Sequence, residues 1–141
     1  LEETLGLTVE LSVAGDSSLF IADRNEGNYD FFLGGWYSDY NDPLDFLYTN
    51  YTDAYGMSFG GYSNPDYDAL ADQLVGETDM DKRLDIYKQM EQILLLDDCA
   101  FAPIYCATKQ VLLQNWVKDY RTSSFGASAE FIWTYIDGKN Q

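Results

Sequence analysis

Residues 34–46 read GGWYSDYNDPLDF and directly follow an apolar run at residues 29–33. That run is rich in residues that favour β-strands, so the sequence predicts a strand ending at the two glycines. Gly34 and Gly35 leave the backbone without side-chain cover, so an extended ligand could lie close beside it. Asp39 would stand at the mouth of this strand. The junction of an apolar strand with an aromatic, acidic loop is therefore the candidate site.

The sequence on both sides of this junction predicts helices that alternate with strands. Helices are predicted at residues 1–6, 16–25, 43–48, 64–75 and 79–96, from capping residues and from apolar residues at helical spacing. Strands are predicted at residues 7–11, 29–33, 101–108, 110–113 and 131–136, from their β-branched and aromatic content. This alternation predicts an α/β core. No linker or repeat divides the chain, so we expect one domain over residues 1–141.

Four blocks of this sequence resemble one family, the peptide, dipeptide and nickel solute-binding proteins of ABC transporters. Members carry Gly-Trp, then Asp, then Asp-Pro, which here are Gly35-Trp36, Asp39 and Asp42-Pro43. The resemblance continues at residues 62–70, at Arg83, Leu84, Tyr87, Glu91, Ile93, Leu94 and Asp97, and at residues 103–105. Four blocks in the family's order are a more specific signal than any single short motif.

The resemblance implies one lobe of a type II periplasmic-binding-protein-like fold, with a mixed sheet flanked by helices. Family members are several times longer, so residues 1–141 would be a partial solute-binding lobe of a two-lobed receptor. Such a receptor captures extracytoplasmic oligopeptides between its lobes and delivers them to the permease subunits of an ABC importer. The implied location is the periplasm or the outer face of the cell membrane, with an anchor upstream of Leu1. We expect a monomer that needs no cofactor.

The resemblance also assigns the ligand-binding residues, which are Gly34, Gly35, Trp36, Tyr37 and Asp39. The family aspartate at the position of Asp39 pairs with the α-ammonium group of the peptide, although a carboxylate here could instead cap the loop. The glycines and Tyr37 would pair with the peptide through their backbones, as if it were an added strand. Trp36 could contact the ligand or belong to the core of the lobe.

Several other residues near the junction have two interpretations. Tyr55, Met57, Phe59 and Tyr62 could line side-chain pockets or pack within their loop. Asp42-Pro43 and Asp45 are interpreted as fixing the shape of the loop. A calcium loop fails on spacing, because Leu44 stands where its sixth-position glycine should be. No metal site is expected.

Composition excludes several classes of function. The chain has 24 Asp and Glu against 8 Lys and Arg, a net charge of −16, which repels nucleic acid and anionic membrane surfaces. The sequence contains no histidine, and no carboxylate pair stands out, so we predict that the protein is not an enzyme. Cys99 and Cys106 could be bridged across a bend, but a strand would hold them too far apart, so free, buried thiols are predicted.

A second function remains open. The many tyrosines could form the flat aromatic platform of a free-standing carbohydrate- or protein-interaction module. Exposure distinguishes the two functions. The platform requires Trp36, Tyr37, Tyr55 and Tyr62 to form one exposed patch that Asp39 faces away from.

Overall fold

The computed structural model describes residues 2–52, 61–123, 125–126 and 129–139, apart from the side chain of Asn50. Its α-helices are α1 (Glu2–Leu5), α2 (Ser17–Glu26), α3 (Leu44–Tyr51), α4 (Pro65–Leu74) and α5 (Met80–Glu91). A π-helical segment, Gln92–Asp97, continues α5. Two short strands, β1 (Val117–Lys118) and β2 (Tyr135–Ile136), follow near the end of the chain.

The helices begin where capping side chains satisfy their free backbone amides. The side chain of Asp16 accepts from two amides of the first turn of α2, that of Asn64 does so for α4, and that of Asp79 does so for α5. Gly27 ends α2 with a φ of 71°, a left-handed conformation that favours glycine. The predicted helices are confirmed, each within a few residues of its predicted bounds.

The core lies among α3, α4, α5 and the π-helical segment. Its buried apolar residues are Leu47, Tyr51, Tyr67, Ala71, Leu74, Ile86, Tyr87, Met90 and Leu94. Tyr67 is fully buried, and its hydroxyl donates to the carbonyl oxygen of Leu47 at 2.8 Å, which joins α4 to α3. Leu84 is one of the apolar residues at helical spacing that predicted α5, yet it is half exposed and lies outside this core. The helices that follow the candidate loop therefore form a packed unit behind it.

The predicted strands are largely absent from the part of the chain that the structure describes. The one sheet there pairs Val117 with Ile136 and Lys118 with Tyr135, antiparallel. Residues 7–11, 29–33, 101–108 and 110–113 lie outside regular secondary structure, and of 131–136 only Tyr135–Ile136 is a strand. A strand-forming composition states a preference, but a strand forms only where a neighbour supplies the ladder hydrogen bonds. The described chain is therefore rich in helix, with a small antiparallel sheet in place of the expected mixed one.

The cysteine prediction is half right. Cys99 and Cys106 are free, as expected, but both are exposed, whereas buried thiols were predicted. Cys99 follows the π-helical segment with a φ of 50°, and Cys106 lies in the run 101–110, where every residue is exposed. Burial was inferred from a predicted strand in a sheet, and the thiols are exposed because that sheet is not formed around them.

Candidate functional site

The candidate loop, residues 36–45, leads from the predicted strand into α3 and is held by a buried carboxylate. Asp45 lies in the first turn of α3 with 1% of its surface exposed. Its Oδ2 accepts from the indole Nε1 of Trp36 at 2.8 Å and from the backbone amide of Asp39 at 3.0 Å. One oxygen atom therefore anchors the loop at two points.

Asp42 attaches the same loop to α5. Its Oδ1 accepts from the amide of Leu44 at 2.9 Å and from the hydroxyl of Tyr87, and its Oδ2 lies 2.9 Å from Nη2 of Arg83. Arg83 also donates to the carbonyl oxygens of Leu74 and Glu77, at 3.3 and 3.1 Å. The loop, the end of α4 and one face of α5 are therefore joined through a single guanidinium group.

This network changes the acidity of its members. Partial burial alone would raise the pKa of Asp42, but the hydrogen bonds from Tyr87 and Leu44 and the charge of Arg83 outweigh it, so the pKa lies below its usual range. Burial and the neighbouring Asp42 carboxylate raise the pKa of the Tyr87 hydroxyl. Asp42 is therefore held as a carboxylate and Tyr87 as a neutral donor.

Asp39 differs from the two anchoring aspartates because it is exposed. Its backbone is fixed by Asp45, and among the described residues none bonds to its carboxylate. On another side of the loop, the amide of Gly126 donates to the carbonyl oxygen of Ser38 at 2.7 Å. Gly126 has a φ of 64°, and a Cβ there would lie 3.6 Å from the carbonyl oxygen of Asp39. The loop therefore presents an exposed carboxylate from a backbone that is held in place.

The other predicted ligand-binding residues lie beside this loop. Gly34 and Gly35 are exposed, and a Cβ at Gly35 would meet no other atom within 4 Å, so its backbone borders open space. Tyr37 is exposed, and Nζ of Lys109 lies 5.2 Å from the centre of its ring. Lys109 could not be selected from the sequence, because 72 positions separate it from Tyr37 and only the fold brings the two together.

The structure describes two of the aromatic residues whose roles the sequence left open. Trp36 is half buried, and its bond to Asp45 supports a structural role, while contact with a ligand stays a prediction. Tyr62 is also half buried; its ring packs edge-on against that of Tyr67, and its hydroxyl donates to Asp98 at 2.7 Å. These positions of Trp36 and Tyr62 argue against one flat, exposed aromatic platform. Tyr55, Met57 and Phe59 lie outside the described residues.

The loop-shaping role predicted for Asp42-Pro43 and Asp45 is confirmed, but the partners of these aspartates were missed. Asp42 accepts from the amide of Leu44, and Pro43 stands at the N-cap position of α3, one residue earlier than expected. Arg83 and Tyr87 belong to one of the four sequence blocks that carry the resemblance. Their spacing of four residues puts both on one face of α5, which is the signal that could have linked them to Asp42.

Two features are absent from the described residues. No group of three or more cysteine or acidic side chains comes together there in a way that could hold a metal ion. None of the helices described is long and apolar enough to cross a membrane.

The chain is similar to several known peptide-binding proteins. It is 33% identical over 119 residues to the periplasmic murein peptide-binding protein MppA of Escherichia coli, covering 84% of this chain and 22% of that protein. It is 32% identical over 118 residues to the oligopeptide-binding protein OppA of Bacillus subtilis, covering 84% and 20%. No family model matches the chain.

A solved structure supports the same relationship. The pheromone receptor PrgZ, described with its mode of peptide binding, superimposes with a TM-score of 0.73 at 29% sequence identity. The match covers 96% of this chain and 25% of PrgZ. The chain thus spans about a fifth to a quarter of the length of these relatives. It belongs to the peptide-binding solute-binding proteins known as solute-binding protein family 5.

Proposed function

We propose that this chain is part of the peptide-binding receptor of an ABC importer, which captures extracytoplasmic oligopeptides between two lobes and delivers them to a membrane permease. The named relatives bind murein peptides and oligopeptides, and PrgZ is a pheromone receptor with a described mode of peptide binding, which supports this class of ligand. Because the chain spans so little of their length, it would supply one wall of the cleft, and the rest of the receptor would supply the other.

The observation that carries the proposal is the contrast between Asp39 and the two aspartates behind it. Asp42 and Asp45 are bonded to the loop and to α5, whereas Asp39 is exposed on a backbone that they hold in place. A fixed, accessible carboxylate suits recognition of an ammonium group, because little conformational freedom is lost on binding. Asp39 would therefore pair with the α-ammonium group of the peptide.

The backbone beside Asp39 would hold the rest of the peptide. Gly34, Gly35 and Tyr37 are exposed, and at Gly35 no side chain of the described residues comes near the space that a Cβ would occupy. A peptide could lie along this stretch and form main-chain hydrogen bonds, as an added strand does. Trp36 would contribute through its ring edge or through the shape of the loop.

The apolar segments support a lobe that is completed by other parts of the receptor. Leu33 is 70% exposed, Ile104 is 73% exposed and Leu112 is fully exposed, although all three lie in runs with strand composition. Such side chains are normally covered when their segment pairs within a sheet. We propose that these segments join the mixed sheet of the complete lobe.

The experiment is calorimetry on the full-length receptor with a matched pair of peptides, one with a free amino terminus and one N-acetylated. Replacing Asp39 with Asn keeps the shape and removes the charge, so binding of the free-amino peptide should weaken by about 2 kcal/mol or more, because its ammonium is left buried and unpaired. The acetylated peptide should lose much less.

Asp72→Asn is the control, since Asp72 is an exposed carboxylate on α4 outside the candidate loop. It should leave the affinity for both peptides unchanged. Equal weakening of both peptides by Asp39→Asn, or no weakening of either, would remove Asp39 from the binding site.

A further inference from the structure

We infer that Asp45 is a positioning residue for peptide recognition, which acts by holding Asp39 and Trp36 in the arrangement that receives the ammonium group. The inference rests on the proposed function and adds a residue to its machinery. Asp45 itself is 1% exposed, so it has almost no surface with which to touch a ligand. Its influence would pass through the two residues that it holds.

The geometry of the bonds supports this role. Oδ2 of Asp45 accepts from Trp36 at 2.8 Å and from the amide of Asp39 at 3.0 Å, both within the normal range for N–H···O hydrogen bonds. These donors stand at the two ends of the segment 36–39. A single acceptor therefore bridges the segment and fixes the distance between the indole ring and the backbone of Asp39.

The chemistry explains why a carboxylate suits this position. A buried carboxylate is costly unless donors surround it, and donors bound to a charged acceptor form bonds about twice as strong as neutral ones. The first turn of α3 also favours negative charge, because free backbone amides point towards it. The Asp45 carboxylate is thus stabilised by the N-terminal end of α3 and by its two donors, Trp36 and the amide of Asp39.

Two negative groups within one short loop have different tasks in this arrangement. Asp45 is withdrawn from solvent and its acceptor atom is occupied by the loop, whereas Asp39 is exposed. The ligand would contact the carboxylate of Asp39, and Asp45 would determine where that carboxylate lies. A residue that only stabilises the fold would affect all ligands alike, whereas a residue that places Asp39 affects those with a free amino terminus most.

The test measures a selectivity ratio, the Kd for an N-acetylated peptide divided by the Kd for the same peptide with a free amino terminus, in the full-length receptor. Asp45→Ala removes the acceptor, and we expect the ratio to fall about tenfold or more, because a charge-assisted contact is then misplaced. Asp45→Asn keeps an oxygen of the same reach, so it should restore most of the ratio.

A second variant keeps the inference testable if Asp45→Ala does not fold. Asp45→Glu retains the charge and shifts the acceptor by about one carbon–carbon bond, roughly 1.5 Å, so the ratio should again fall. In an Asp39→Asn background, Asp45→Ala should leave the ratio unchanged. A ratio that neither Asp45→Ala nor Asp45→Glu changes would overturn the inference.

The outcomes also separate this inference from the proposed function. If the wild-type receptor binds neither peptide, the proposed function fails, and if Asp39→Asn alone leaves the ratio unchanged, the ligand contact proposed for Asp39 fails. If Asp39→Asn lowers the ratio and folded variants at Asp45 do not, only the positioning role of Asp45 fails.

Discussion

Asp42 shows how a single side chain can connect the candidate loop to the packed helices. Its two oxygens bond to Leu44, Tyr87 and Arg83, and the side chain of Arg83 is only 13% exposed. An ion pair in such a place is screened less than a surface pair, although the carboxylate, at 32% exposed, still meets water. Asp42 should therefore contribute to stability in a manner that depends on pH.

The substitution Asp42→Asn should show this dependence. The pKa of Asp42 is lowered in the folded protein, so the carboxylate adds stability above its unfolded pKa, about 4, and this stability is lost as pH falls through the lower folded value. The difference in free energy of unfolding between wild type and variant should thus be largest near neutral pH and shrink below about pH 4. Urea titrations between pH 3 and pH 7 measure it.

Asp72→Asn is again the control, because it removes one of the many negative charges without touching this network. Subtracting its effect accounts for relief of general repulsion in a chain of net charge −16. A difference for Asp42→Asn that stays constant from pH 3 to pH 7 would show that the ionised form adds nothing.

Residue identities at the loop were predictable, and their contacts were not. The Asp-Pro motif suggested that Asp42 shapes the loop, and the resemblance assigned Asp39 as a ligand contact. The bond between Trp36 and Asp45 joins residues nine apart, and it depends on the path of the chain between them. The sequence pattern alone does not predict that path.

Helices could be predicted because their signals are local. Asp16, Asn64 and Asp79 each stand just before a helix, and each cap bonds amides two and three residues further along. Strands could not be placed the same way, because their hydrogen bonds come from segments distant in sequence. Residues 101–113 have strand composition and all are exposed, so the composition alone did not indicate their state here.

The cap of α5 provides a test at this scale. Oδ1 of Asp79 accepts from the amides of Asp81 and Lys82, at 3.0 and 3.3 Å. Asp79→Ala removes both bonds and should lower the free energy of unfolding by about 1 kcal/mol. Asp79→Ser, which keeps a capping oxygen, should recover most of it. Urea unfolding followed by circular dichroism at 222 nm measures the change, and equal stability of Asp79→Ala and wild type would exclude a capping contribution.

The described chain consists of a packed helical unit and apolar segments whose side chains are exposed. The buried residues of the described chain fall within residues 45–94, on α3 and its C-cap Thr52, on α4 and α5, and on the π-helical segment. The superposition on PrgZ shows that a similar arrangement occurs within that larger protein. The sequence predicted the family and the helices of this arrangement, while the full sheet was beyond it because sheet partners are not encoded locally.

The packed helical unit holds the candidate loop in place. α5 holds the candidate loop through Arg83 and Tyr87, and α3 holds it through Asp45. The packed unit therefore lies behind the loop that carries Asp39 and is bonded to it at several points. The exposed apolar segments flank that unit and would meet the rest of the receptor.

The most direct measurement is a crystal structure of the full-length receptor with a bound peptide that has a free amino terminus. We predict that the α-ammonium nitrogen lies within about 3.2 Å of an Asp39 carboxylate oxygen, within hydrogen-bond range, with the Trp36 and Asp39 bonds to Asp45 intact. An ammonium group bound by another carboxylate, with Asp39 facing solvent away from the peptide, would contradict it.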